Sequence, residues 1–147
     1  MPVLVEYTQT FLDKSWEWLK DPEIRELTMT PDFSREEQLN FFNGLPDRSD
    51  YWIRGLAEDD MPIGAMGLKH ITTQEAEYWG YIGERAYWSR GIGNFMMQAA
   101  VDKAKELGLG RLYLFVDEHN QRAIQLYTRH GFQCVGTGEK EKYLLYL

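Results

Sequence analysis

The stretch Trp88-Ser89-Arg90-Gly91-Ile92-Gly93-Asn94-Phe95 decides how the rest of the chain is read. Just before it, Glu77-Tyr78-Trp79-Gly80-Tyr81-Ile82 is rich in aromatic and β-forming residues, the composition of a strand. Just after it, Ile92, Phe95, Met96, Ala99, Ala100, Ala104 and Leu107 recur at helical spacing. Two glycines therefore stand where a strand hands over to a helix. The first turn of a helix leaves backbone N–H groups without partners and carries a partial positive charge. Gly91 and Gly93 have no side chain to obstruct an approaching anion. On this reading the stretch is a seat for phosphate or pyrophosphate. A Gly-rich turn that only joins two elements accounts for the same residues equally well, so the flanking sequence has to decide.

C-terminal to the stretch, Leu107-Gly108-Leu109-Gly110 stops the helix, with Gly108 placed to close its last turn. Arg111-Leu112-Tyr113-Leu114-Phe115-Val116 is nearly continuous apolar, which predicts a strand covered on both faces. A strand–helix–strand unit makes this strand parallel to the one before the glycines. Asn120 is placed to cap a short helix carrying Ala123, Ile124, Leu126 and Tyr127, which Gly131 ends. Phe132 to Gly136 and Lys142 to Leu147 are predicted strands separated by the turn Thr137-Gly138-Glu139.

On the N-terminal side, Val3 to Tyr7 is a short strand, and Thr10 is read as the cap of a helix carrying Phe11, Trp16, Trp18 and Leu19. Asp21-Pro22 breaks that pattern and restarts it, with Asp21 as N-cap and Pro22 at the first helical position. Ser34 and Glu37 form a capping box for a helix that ends near Gly44. Tyr51–Ala57, Ile63–Ile71 and Glu77–Ile82 are three strands joined by short turns, an antiparallel meander. The sum is an α+β chain of about seven strands and four or so helices, one mixed sheet with helices on its faces.

Composition narrows the function. A length of 147 residues predicts one domain, 1–147, and the 44% hydrophobic and 27% charged content is ordinary for a soluble globular protein. The net charge of −7 argues against non-specific nucleic-acid binding, which relies on Lys and Arg neutralising phosphates. The single Cys134 excludes an internal disulfide and a Cys-rich metal site, and its setting predicts a small buried hydrophobe in a strand. His70, His119 and His130 show no metal-ligand spacing. The N-terminus lacks the order of a signal peptide, and no apolar run is long enough to span a bilayer, so a cytoplasmic location with no membrane partner is expected.

A dinucleotide-binding fold fails as an explanation of the glycines, because a meander precedes them and no series of βαβ units follows. A Walker loop fails because no Gly-Lys-Ser/Thr is present at the site. Ser89 is not flanked in the nucleophile-elbow pattern. What the residues do resemble is the acetyl-CoA pyrophosphate loop of the GCN5-related N-acetyltransferases (GNATs), Gln/Arg-x-x-Gly-x-Gly/Ala. Trp88 stands in the Gln/Arg place, followed by Ser89-Arg90-Gly91-Ile92-Gly93. That departure removes one polar contact and leaves the cradle of backbone N–H groups intact. A second segment, Asn120-Gln121-Arg122-Ala123-Ile124-Gln125-Leu126-Tyr127-Thr128-Arg129-His130-Gly131-Phe132, is similar to the later GNAT pattern Asn-x-x-Ala-x-x-Leu-Tyr-x-x-x-Gly-Phe. Either segment alone is weak evidence; the two in order are strong.

The resemblance implies a GNAT-like, mostly antiparallel sheet with a splayed parallel strand pair, here Glu77–Gly83 and Arg111–Val116, and acetyl-CoA lying in the notch. It implies pyrophosphate on the backbone amides of Ser89, Arg90, Gly91, Ile92, Gly93 and Asn94, with Arg90 adding side-chain charge. Asn120 and Tyr127 would contact the cosubstrate beside the second helix. N–H groups near Tyr81, Ile82 and Gly83 would polarise the thioester oxygen. No metal is implied. The chemistry is attack by a neutral amine on the thioester, so a base must take the amine's proton. Glu77 sits at the offset where the family places a catalytic Glu; the alternative is a solvated Glu at the start of a strand. Glu84 is the second candidate, more in keeping with the surface. Tyr127 matches the family's general-acid tyrosine; the alternative is a packing aromatic.

The N-terminal third resembles the branch that acetylates ribosomal-protein N-termini, aminoglycosides and nucleotide-linked amino sugars. Trp16, Trp18, Phe33, Tyr51 and Trp52 are candidates to stack on a sugar or base, although helix packing suits Trp16 and Trp18 better. A nucleotide-linked sugar would require Arg25, Arg48, Arg54 or Lys69 to neutralise it locally. A small-molecule primary amine, foremost an amino sugar, is the expected acceptor. A protein or peptide N-terminus is the alternative, and a CoA-binding module without catalysis is the alternative from another class. The residues leave open whether a homodimer completes the site.

Overall fold

Leu112, Leu114 and Val116 are buried in strand β5 (Arg111–Val116), while Arg111, Tyr113 and Phe115 alternate with them and are only half-buried. The strand is therefore covered fully on one face, not on both as its apolar run suggests. The other face carries aromatic rings whose apolar area is shielded by lysine side chains. The computed structural model describes all of residues 1–147.

β5 belongs to a seven-stranded sheet with β1 (Val3–Val5), β2 (Trp52–Glu58), β3 (Met61–Lys69), β4 (Glu75–Ile82), β6 (Gln133–Gly136) and β7 (Glu141–Tyr146), in the order β1-β2-β3-β4-β5-β7-β6. Short turns make the β2–β3–β4 meander antiparallel, and only the β4–β5 pair, with a helix between its strands, is parallel. β4 begins at Glu75, so Glu77 is its third residue rather than its first.

Five helices are present, α1 (Gln9–Trp18), α2 (Pro22–Leu27), α3 (Arg35–Gly44), α4 (Ile92–Glu106) and α5 (Gln121–Arg129). Their starts follow from local chemistry. Asp21 accepts from the Glu23 N–H at 2.9 Å, with Pro22 at the first helical position of α2. Ser34 and Glu37 exchange 3.0 Å hydrogen bonds in the expected capping box of α3. Such a cap contributes about 1 kcal/mol. α1 starts two residues earlier than its Thr10 reading: Thr8 occupies the N-cap position without a side-chain bond.

The sheet has two differently covered faces. α4 turns Ile92, Met96, Met97, Ala100 and Ala104 toward Leu56, Met66, Leu68, Ala76, Leu112 and Leu114, the main core. Each fully buried Leu or Met in it contributes about 1.5–3 kcal/mol by leaving water. The opposite face holds α1, whose Phe11 ring lies on Gly55, and Trp18, whose ring lies on Gly83. Ser15 and Gln38 are buried there as a satisfied polar pair, Gln38 Nε2 donating to Ser15 Oγ at 2.6 Å and Ser15 Oγ to the Leu12 carbonyl at 2.7 Å. Trp18 is core as expected, whereas Trp16 is half-exposed, edge-on to Phe33 at 5.6 Å. Cys134 is exposed on the edge strand β6, not buried, because β6 has no partner beyond β7. No helix is long and apolar enough to cross a membrane.

Candidate active site

The β4–β5 ladder stops early. Glu75, Ala76 and Glu77 pair with Arg111, Leu112 and Tyr113, and nothing pairs beyond them. β4 instead follows β3 as far as Ile82, and β5 follows β7 as far as Val116. Each strand keeps its antiparallel ladder and leaves its facing edge open. Adjacent residues of a strand send their N–H groups to opposite edges. The Gly83 N–H donates to the Ile63 carbonyl at 2.8 Å, so Gly83 is turned away from the opening. The N–H of Ile82 points into it. Trp88 closes the far end, its Nε1 donating to the Ile82 carbonyl at 2.9 Å.

α4 begins at the mouth of this opening. Its N-cap, Gly91, has φ +77° and no side chain to cap with, and Ser89 just before it is also left-handed at φ +63°. A non-glycine residue held there costs about 1–2 kcal/mol. The Asn94 N–H is satisfied by the Gly91 carbonyl at 3.2 Å, which leaves the first-turn N–H groups of Ile92 and Gly93 outside the helix's own bonding. The two glycines do different jobs. At Gly91 the left-handed backbone favours glycine. At Gly93 a Cβ would come within 2.9 Å of Leu126 Cδ2, so its missing side chain lets α5 lie against the first turn of α4.

One cleft of about 680 Å³ joins these parts, within the usual size of a small-molecule site. Tyr81, Ile82, Ser89, Gly91, Ile92, Gly93, Asn94, Asn120, Glu77 and Tyr127 all line it. Asn120 caps α5 through the Ala123 N–H at 3.3 Å. The Asn94 side chain is held by His130 at 3.0 Å. Tyr127 packs edge-on against Tyr78 at 6.3 Å and against Phe132 at 5.9 Å. Burial alone pushes its phenol up to about 12, so it holds its proton throughout the neutral range. Glu77 has a carboxylate only 14% exposed, 3.6 Å from Lys69 Nζ and 4.0 Å from His70 Nε2.

Burial also raises the phenols of Tyr7, Tyr51, Tyr78 and Tyr81. The unfolded chain loses these protons near pH 10, while the folded chain keeps them to higher pH. Between those limits the native state binds more protons, so stability falls as pH rises. Thermal melts should show Tm constant below pH 9 and decreasing steadily above pH 10 (both roughly placed); a flat Tm through that window would mean the phenols are hydrated.

Three expected site residues lie elsewhere. Gly83 is covered by Trp18 and bonded to Ile63. Arg90 is exposed, its guanidinium 4.9 Å over the Tyr87 ring, and does not line the cleft. Glu84 is half-buried rather than superficial, because it accepts from Trp18 Nε1 at 2.9 Å. Of the four cations proposed as neutralisers, Arg25 pairs with Asp32, Arg48 with Asp50, and Arg54 bonds the Ile53 carbonyl. Only Lys69 reaches the cleft, and it is paired with Glu77. The sequence reading missed Arg122 and Arg129 on α5 and Lys140 after β6, which line the cleft without a carboxylate partner. The Asn120 pattern includes Arg122 and Arg129 only at its variable positions, so it gave no sign of them.

Comparison with known proteins agrees with this geometry. A model of the acetyltransferase (GNAT) family matches residues 12–132. Acetyltransferase PseH of Campylobacter jejuni is 26% identical over 118 residues, covering 80% of this chain and 73% of its own. The crystal structure of C. jejuni PseH in complex with acetyl coenzyme A superimposes with a TM-score of 0.76 at 20% identity, covering 99% of both chains. Spermidine N-acetyltransferase from Vibrio cholerae, in complex with CoA and spermine, gives a TM-score of 0.86 at 17% identity, covering 99% of this chain and 95% of its own. With the matched region running from α1 to the residue before β6, the chain belongs to the acetyltransferase (GNAT) family.

Proposed function

We propose that the protein acetylates the primary amine of a small molecule, foremost an amino sugar, with Glu77 as the base and Tyr127 as the acid. The protein is an acetyl-CoA-dependent N-acetyltransferase, and the cleft fits that cosubstrate: a helix N-terminus presents two N–H groups, and Arg122 and Arg129 supply charge. When bound, acetyl-CoA supplies an activated acetyl thioester. The observation that carries the reading is the single cleft containing both Glu77 and Tyr127, which stand on either side of the open strand edges.

The residues divide the work by position. The N–H groups of Ile92 and Gly93 hold phosphate, and the Ile82 N–H is aimed where negative charge develops on a carbonyl oxygen. Glu77 lies on the face of β4 that bears Trp79 and Tyr81, next to α1 and α3. Tyr51 packs on Trp79 at 6.3 Å and Trp18 on Tyr81 at 6.1 Å, so the acceptor half of the cleft has aromatic walls. An alkyl amine arrives mostly protonated. Glu77 takes that proton, directly or through water. Tyr127, on the opposite side, holds a proton for the departing sulfur.

Turnover of acetyl-CoA with a panel of amino sugars, polyamines and peptides, read by thiol release, tests the reading. Tight CoA binding with no release for any amine would leave a binding module instead. Preference for peptides would move the acceptor to a protein N-terminus. Glu77→Gln should lower kcat by about 10- to 100-fold and shift the pH–rate profile upward, since only amine already neutral then reacts. An unaltered profile removes Glu77 as base.

A further inference from the structure

Lys140 stands with its Nζ 4.5 Å over the Phe115 ring, and Lys142 with its Nζ 4.7 Å over the Tyr113 ring. Neither lysine has a carboxylate partner, in a chain where acids outnumber bases by 23 to 16. The nearest acid of the hairpin with a defined partner, Glu141, accepts from Tyr143 at 3.0 Å. The rings identify the side of the sheet. Tyr113 and Phe115 alternate with the core residues Leu112, Leu114 and Val116, so they face away from α4. Tyr113 is the register partner of Glu77 across the parallel pair, and Phe115 is the register partner of Lys142 across β7. Glu77, the two rings and the two lysines therefore share one face. Phe115 and Lys140 line the same cleft as Glu77, and Lys142 stands beside it rather than in its lining, tied to it through the Phe115 ring 6.0 Å from its Nζ.

The cations divide by face. Arg122 and Arg129 are carried by α5, which packs on α4 through Leu126 and Gly93, where the phosphate seat is. Lys140 and Lys142 stand on the other side of the opening. Phe115 lies two residues beyond Tyr113, roughly 8 Å from Glu77 in the plane of the sheet. That is the span of a small molecule with an amine at one end and an anion at the other.

We propose that Lys140 and Lys142 form an anion subsite for the acceptor, so that the molecule acetylated carries a carboxylate or phosphate in addition to its amine. The proposal rests on Glu77 marking the acceptor end of the cleft. It also replaces Arg25, Arg48 and Arg54, which the structure ties to other partners, as the charges that would neutralise an anionic sugar. Each ammonium rests on a ring face, which orients it and leaves its remaining N–H donors without a carboxylate acceptor, available to an anion.

Matched acceptors test it: glucosamine, glucosaminic acid and glucosamine 6-phosphate, together with cadaverine and lysine, assayed with the wild type and with K140E/K142E and K140M/K142M. The expected result is that an anionic member of the set is the best acceptor. Its kcat/KM should fall about 10- to 100-fold in both double variants, with the KM for acetyl-CoA and the Tm unchanged. K140M/K142M keeps apolar cover on the rings, so its kcat/KM for the anionic acceptor decides the test if K140E/K142E folds poorly. Glucosaminic acid against glucosamine 6-phosphate shows whether carboxylate or phosphate is preferred. The proposal is overturned if a neutral amine is the best acceptor, if both variants keep the anionic acceptor's kcat/KM, or if the acetyl-CoA KM rises instead, which would assign the lysines to the cosubstrate. No transfer to any amine would overturn the proposed function itself and this subsite with it.

Discussion

Tyr127→Phe should lower kcat by about 100-fold or more, the usual contribution of a general acid, while leaving the affinity for acetyl-CoA almost unchanged. The phenol is packed on Tyr78 and Phe132 by its ring, and burial is the only influence on its ionisation, so its hydroxyl has no structural bond to lose. Removing it leaves the same ring volume in the same packing, and Tm should hold. A phenol raised to about 12 is a weak acid beside an ordinary thiol near 8.5, which by itself would make proton transfer to the thiolate uphill. The same burial that raises the phenol also raises a thiolate formed beside it, which narrows that gap. Because the phenol stays protonated, kcat should not decline through loss of the Tyr127 proton below about pH 11. The measurement is steady-state thiol release across pH, together with CoA binding by calorimetry. Turnover equal to wild type would leave Tyr127 as packing only.

Gly91→Asp should weaken acetyl-CoA binding by about 100-fold or more without unfolding the protein. A Cβ at this position meets nothing nearer than Asn94 Nδ2 at 4.0 Å, so space is available. The left-handed backbone, φ +77°, is tolerated by Asp and Asn better than by other residues. The new carboxylate stands at the N-cap of α4 and can accept from the N–H groups that the phosphate needs. Two charge-assisted bonds at about 1.5–3 kcal/mol each correspond to that loss. The cap on α4 offsets most of the strain of the left-handed backbone, so Tm should fall by no more than a few degrees. Gly91→Asn should weaken binding less, because it brings no charge to repel phosphate. Calorimetric titration with CoA separates the cases, and unchanged affinity in Gly91→Asp would remove the phosphate seat.

Much of this was legible in the chain. The capping residues Asp21, Ser34 and Asn120 act on groups two or three residues away, so their effect is written locally. The 3.6-residue period of Ile92, Met96 and Ala100 and the glycine at 91 likewise depend only on neighbours in sequence. The acetyl-transfer reading rested on two short segments that the fold brings to one cleft.

Other features depend on what lies across the sheet. β5 reads as apolar on both faces, yet no helix covers the Tyr113 and Phe115 side, and Lys140 and Lys142 cover it instead. Cys134 reads as a core residue, yet β6 is an edge. Gly83 reads as part of the site, but strand alternation hands its N–H to Ile63. Gly93 reads as room for an anion, but the room is filled by Leu126.

The chain by itself determined most of the elements, the caps at Asp21, Ser34 and Asn120 and the glycine turn that opens α4, because each is set by contacts within a few residues. Tertiary structure alone decided which face each strand shows, where the parallel ladder ends and which cations reach the cleft, because those depend on residues far apart in sequence packing side by side. The stretch from Trp88 to Phe95 belongs to both: its sequence carries the loop, and only the splay of β4 from β5 gives that loop a cleft to serve.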